Sequence, residues 1–194
     1  EGKNVAAYDA EELRKKIAVV PQKAVLFKGT VRSNLAWGNP AAETDDALAW
    51  AALETAQADD VVKGKGGLDA EVEQGGGNLS GGQKQRVWIA MALAQDTKVL
   101  FLDEPTTYLD VRYQLQILKL IRQLNQEYGI TIVMVLHDIN QSLYYSNEIV
   151  AMKDGKMIAH GLPEEIITSE LVKEVYDVDL NIQSVDGKPF VIPV

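Results

Sequence analysis

The run Asn78-Leu79-Ser80-Gly81-Gly82-Gln83-Lys84-Gln85-Arg86, followed by Val99-Leu100-Phe101-Leu102-Asp103-Glu104-Pro105, constrains this chain more than any other feature. Ser80 is a good N-cap, and the two glycines after it leave backbone N–H groups uncovered at a helix start. A helix start with bare donors and a positive dipole end is an anion site. Val87, Ala90, Met91 and Ala94 repeat at helical spacing, which predicts a helix from Ser80 to about Gln95 with one apolar face. The second run predicts a buried strand, Lys98 to Leu102, apolar on both faces and ending in the adjacent carboxylates Asp103 and Glu104. At such a strand end one acidic residue can hold Mg²⁺ while its neighbour orients a water. Alone, each run has a plain reading, a turn or a solvated strand corner; together, in this order, they point to a nucleotide-phosphate device.

The remaining chemistry narrows the class. A length of 194 residues is enough for one domain with a substantial core, and 46% apolar content fits a globular chain. No apolar run approaches the length of a membrane span; Ile130 to Leu136 is strand-sized. The start, Glu1-Gly2-Lys3-Asn4, lacks both signal-peptide character and an initiator Met, so a fragment is expected. Zero cysteines exclude disulfides and thiolate metal sites and fit a reducing cytoplasm. A net charge of −9 argues against a nucleic-acid surface and against direct binding to anionic lipid.

In chain order, Asp9 is the expected cap of a helix Ala10 to Lys16, leading into a strand Ile17 to Val20 that Pro21 and Gln22 end. Thr30 reads as the N-cap of a short helix. Thr44 reads as the opening of an alanine-rich helix to about Gln57, with Leu48, Ala51, Ala52 and Thr55 on one side. Trp37 and Trp50 read as packing residues. Lys63-Gly64-Lys65-Gly66-Gly67 lacks the spacing of a phosphate loop and reads as a flexible loop. After Thr106-Thr107-Tyr108-Leu109-Asp110, a long amphipathic helix to Tyr128 is expected, with Leu115, Leu118, Ile121 and Leu124 inward and Gly129 as its stop. Ile130 to Leu136 predicts another buried parallel strand, ending in His137, before a helix Asp138 to Ser146. Glu148 to His160 reads as a hairpin turning at Asp154-Gly155, with His160 an exposed turn residue outside any catalytic role. Pro163 to Tyr176 predicts one helix, and Asp186-Gly187 a last hairpin.

The strings LSGGQ, FLDEP, Leu109-Asp110 and Leu136-His137-Asp138 resemble the signature, Walker B, D-loop and H-loop of ABC-type ATPases, the ATP-binding subunits of ABC transporters. The resemblance implies an α/β fold: a P-loop NTPase-like, mostly parallel sheet flanked by helices, with an α-helical subdomain. On that scheme residues 30–95 form the helical and signature subdomain, and 1–29 with 96–194 the rest of the catalytic core. Val20-Pro21-Gln22 resembles the Q-loop. The resemblance implies that Asp103 and Gln22 hold Mg²⁺, Glu104 polarises water and His137 contacts the γ-phosphate. It implies also that Asp110 organises a dimer interface and that Ser80, Gly81, Gly82 and Gln83 bind ATP on the opposite subunit. The implied partners are a second nucleotide-binding domain and a transmembrane permease, which would hold the chain at the cytoplasmic side of the membrane. Gly77 stands where family members often carry an arginine. Residues up to about Trp88 resemble exporter ATPases, and Thr107-Tyr108-Leu109-Asp110, His137 to Gln141 and Pro163-Glu164-Glu165 resemble those of iron-siderophore, haem and cobalamin importers. A chimera of two ABC halves, acting only as a folded interaction module without ATPase activity, is therefore a second reading. A third, a non-transport ABC ATPase of nucleic-acid repair, is opposed by the acidic charge.

The Walker A string G-x-x-x-x-G-K-[ST] does not occur in these residues. In the family its strand lies beside the strand that leads to the H-loop. The expectations are therefore a fold without the N-terminal Walker A strand and helix, an altered sheet or a neighbouring chain at the opening, and no ATPase activity from this chain alone.

Overall fold

The computed structural model describes residues 4–23, 25–185 and 187–192, which form two compact units divided between Val135 and Leu136. In the first unit, α1 (Ala10–Lys16) leads into β1 (Ile17–Val20), and β2 (Gly29–Thr30) into α2 (Val31–Gly38). Then come α3 (Asp46–Thr55), α4 (Asp59–Gly64), β3 (Glu71–Val72), α5 (Gly81–Ala94), β4 (Val99–Asp103), α6 (Val111–Tyr128) and β5 (Thr131–Val135). The helix starts are written locally. Asp9 accepts from the N–H groups of Glu11 and Glu12. Thr30 and Ser33 exchange side-chain and backbone bonds, as do Ser80 and Gln83. Gly129 ends α6 at φ 65°, a left-handed conformation that costs glycine least.

A parallel sheet in the order β1-β4-β5 organises the first unit, and a short antiparallel pair joins β2 to β3. Ala18, Val20, Leu100 and Leu102 on one sheet face are buried in a single cluster with Val87, Ala90 and Met91 of α5 and Ile117, Leu120 and Leu124 of α6. On the other face Val19, Phe101 and Val133, aligned across the three strands, stay exposed, at 57%, 39% and 44%. The expected burial of the two apolar strands on both faces is thus corrected: each is covered on one side only. Among the described residues no strand pairs with the outer edge of β5.

The second unit holds α7 (Ile139–Tyr145), the hairpin β6 (Ile149–Lys153) and β7 (Lys156–Gly161), α8 (Pro163–Ile166), α9 (Ser169–Tyr176), and the hairpin β8 (Asn181–Val185) and β9 (Lys188–Ile192). Leu143, Val172 and Val191 form its core, and Asn140 exchanges two hydrogen bonds with the backbone of Val191, at 2.8 and 2.9 Å. No helix of the described residues is long and apolar enough to cross a membrane.

Several local expectations are corrected. Thr44 closes a 3₁₀ turn over Pro40–Glu43, and Asp45 caps α3 by accepting from Leu48 N–H at 3.0 Å. The inner face of α3 is Ala49, Ala52 and Leu53, with Ala51 exposed. Lys63 and Gly64 finish α4, where Lys63 pairs with Asp59; Lys65 donates to the carbonyl of Asn78. Trp37 is exposed and stacks on Phe27 with centroids 4.5 Å apart. On α6, Leu115 is exposed while Ile117 and Leu120 join the core, because the sheet face, not leucine spacing, fixes the stripe. His160 lies within β7 opposite Val150, its ring 2.8 Å from the Glu148 carboxylate. The stretch Pro163 to Tyr176 is two helices, broken where Thr168 turns extended and caps α9 through Leu171 N–H. Gly187 turns the last hairpin at φ 79°; Asp186 lies outside the described residues.

Candidate functional site

Parallel strands deliver their last residues to one end of a sheet, and β1 and β4 bring Gln22 and the Asp103-Glu104 pair together in this way. The Gln22 side-chain amide donates to Oε2 of Glu104, and the Thr107 hydroxyl donates to the same oxygen at 3.0 Å. Glu104 is half-buried, whereas Asp103 is exposed. The turn that follows is strained and braced. Glu104 and Tyr108 adopt φ of 47° and 66°, a conformation costing a non-glycine residue on the order of 1–3 kcal/mol. Glu104 N–H bonds to Val135 O at 3.2 Å, and Gln114 of α6 donates to the carbonyls of Thr106 and Leu109 at 3.3 and 3.0 Å.

The donor set fits Mg²⁺ carried by a nucleotide. Among the described residues no three His, Cys, Asp or Glu side chains gather into a metal cage. A single exposed carboxylate such as Asp103 is what Mg²⁺ uses when phosphates and waters complete its shell.

The Ser80–Gln83 tip is a second feature of the first unit. Ser80 Oγ accepts from Gln83 N–H at 3.3 Å, and the Gln83 side chain accepts from Ser80 N–H at 3.0 Å. Ser80 and Gly81 are exposed and Gly82 is buried. Arg86, one turn further on, bridges the carbonyl of Gln57 and Gln116 of α6, a structural role. Asp110 caps α6 by accepting from Tyr113 N–H at 3.1 Å. His137 belongs to the second unit, exposed just before the Asp138-capped α7.

Sequence reasoning left Thr107, Gln114 and Tyr113 without roles. Thr107 carried a readable signal, a hydroxyl three residues past a strand-end glutamate. Gln114 and Tyr113 carried none, since their contacts depend on how α6 folds back.

Comparison with known proteins bears on this geometry. The residue pattern that defines the ABC transporter family matches residues 1–107. The petrobactin import ATP-binding protein FpuC of Bacillus anthracis is 48% identical over 116 residues, which are 60% of this chain and 43% of that protein. The chain therefore spans less than half of that relative's length. The probable siderophore transport system ATP-binding protein YusV of Bacillus subtilis is 37% identical, over 100% of this chain and 70% of its own length. Among solved structures, a bacterial Atm1-family ABC exporter with ATP bound superposes with a TM-score of 0.71, at 31% identity, covering 83% of this chain and 27% of that one. With the glycine-started helix, the strand-end acids and a family pattern covering more than half of the residues all in agreement, this chain belongs to the ABC transporter family.

Proposed function

We propose that this chain is ATP-binding machinery of an ABC transporter, coupling ATP hydrolysis to transport, with iron-siderophore import the system that its relatives' names favour. The observation that carries the reading is the meeting of Gln22 and Glu104 at the ends of β1 and β4, with Asp103 alongside. In this reading Asp103 and Gln22 hold Mg²⁺, Glu104 polarises the attacking water and His137 contacts the γ-phosphate. Asp110 organises the interface with a second nucleotide-binding domain. Ser80, Gly81, Gly82 and Gln83 grip ATP held by that second subunit, their uncovered N–H groups and the helix dipole supplying the attraction. Bound Mg²⁺·ATP supplies the bond to be cleaved and the cation that neutralises its phosphates. A permease holds the chain at the cytoplasmic face of the membrane. Residues 30–95 serve as the signature-bearing subdomain, and the remainder as catalytic core.

These 194 residues contain no Walker A string, so by themselves they turn over no ATP. A chimera of two ABC halves is a second reading.

Two measurements test the assignment. Purified chain with Mg²⁺·ATP is expected to show no hydrolysis above that of its Glu104→Gln variant; turnover that Glu104→Gln abolishes refutes the incompetence of the chain alone. In an NMR titration with millimolar Mg²⁺·ATP and a Walker A-bearing ABC nucleotide-binding domain as partner, the amides of Gly81, Gly82 and Gln83 are expected to shift. An unperturbed tip refutes the phosphate-grip reading.

A further inference from the structure

The glycines of the signature tip are packed against the start of α6. A Cβ placed on Gly82 would lie 2.8 Å from Cδ1 of Tyr113 and 3.3 Å from its Cγ, and one on Gly81 would lie 3.1 Å from Cδ2 of Leu109. Both neighbours are on or beside the Asp110 cap, and neither belongs to the signature segment. We propose that Tyr113 is a positioning residue for the phosphate-gripping tip: its ring is the stop against which the first turn of α5 is seated, with Leu109 as the second contact.

The stop is itself anchored. Tyr113 N–H donates to Asp110, Gln114 holds the carbonyls of Thr106 and Leu109, and the inner face of α6 lies in the core. The tip amides are therefore aimed by a side chain of a different element, and the ring also accounts for glycine at position 82. A Cβ less than 3 Å from a ring carbon overlaps it, so an alanine at 82 forces either the Tyr113 ring, which is 36% exposed, or the first turn of α5 to shift. The inference rests on reading Ser80–Gln83 as a phosphate grip; it adds which residue sets the position of that grip.

The reporters are on the tip. Gln83 N–H is bonded to Ser80 Oγ and Lys84 N–H to Ser80 O, at 3.3 and 2.9 Å. In Tyr113→Ala, hydrogen exchange at Gln83 and Lys84 is expected to accelerate about tenfold relative to amides in the second half of α5. Tyr113→Phe, which keeps the ring, is expected to match the wild type. Gly82→Ala is expected to lower Tm by about 4 °C in the wild-type background. In the Tyr113→Ala background it should leave Tm unchanged or raise it, since alanine is the better helix former. Equal Gly82→Ala losses in both backgrounds, or unchanged tip exchange in Tyr113→Ala, overturn the proposal. Both readouts are taken without nucleotide. An unperturbed tip in the Mg²⁺·ATP titration would sink the phosphate reading while leaving these results standing.

Discussion

Asn34 is fully buried, and its amide accepts from Phe27 N–H at 2.9 Å while donating to the carbonyls of Phe27 and Thr30 at 2.9 and 2.8 Å. One side chain thus satisfies three backbone groups of the segment that follows Gln22. Asn34→Ala removes the bonds to both Phe27 groups, each at a cost of about 1–3 kcal/mol, while the Thr30 carbonyl keeps the Ser33 hydroxyl, so a total loss of about 3 kcal/mol is expected in urea unfolding. A loss below about 1 kcal/mol would mean that water replaces the amide, and would refute this role. Nothing in the local sequence announces Asn34, because its partners lie up to seven residues away across a turn. Glu104 and Gln22 differ in this respect. Each was identifiable from its own string, and the fold contributed their meeting and the third partner, Thr107.

At the scale of the element, the starts at Asp9, Thr30 and Ser80 were legible, whereas the one expected at Thr44 gave way to Asp45. Asp9, Thr30, Ser80, Asp110 and Asp138 each accept from an N–H two or three residues on, a geometry set within one turn of chain. What the residues misplaced was one position of each stripe, Ala51 on α3 and Leu115 on α6, and the continuity of the stretch from Pro163 to Tyr176, all decided by neighbouring surfaces or a competing cap. Helix α4, whose last two residues fall in the expected loop from Lys63 to Gly67, carries an i,i+4 pair of Asp59 and Lys63 at 2.8 Å. The hydrogen bond from Lys63 holds the Asp59 carboxyl below its ordinary range. A folded-state pKa lower than the unfolded one gives stability that is present above the unfolded value and lost as pH falls through the folded one. Asp59→Asn is therefore expected to lower Tm by about 1–2 °C at pH 7. The difference should close as the pH drops through and below the carboxylate range. A difference independent of pH, followed by thermal melts, would show that charge is not the cause.

For the molecule as a whole, the open sheet is the main physical consequence. Val19, Phe101 and Val133 make an exposed apolar stripe beside a parallel edge that no strand of the described residues pairs, a combination that favours association. Val19→Lys with Val133→Lys is expected to reduce dye binding to exposed apolar surface and to sharpen the monomer peak in size exclusion. Stability should change by no more than about 0.5 kcal/mol per site. A loss of several kcal/mol would mean that the stripe is covered, contrary to its exposure here.

The residues by themselves determined the caps at Asp9, Thr30 and Ser80, the turn at Asp154-Gly155, the strand-end acids and the glycine-started helix, because each depends on atoms only a few bonds apart along the chain. Only the tertiary structure decided which sheet face stays bare, that Thr107 joins Gln22 on Glu104, and that Tyr113 stands against Gly82. Those are contacts between separate elements, fixed by the register of β1, β4 and β5 and by the packing of α5 and α6, and no local pattern encodes them.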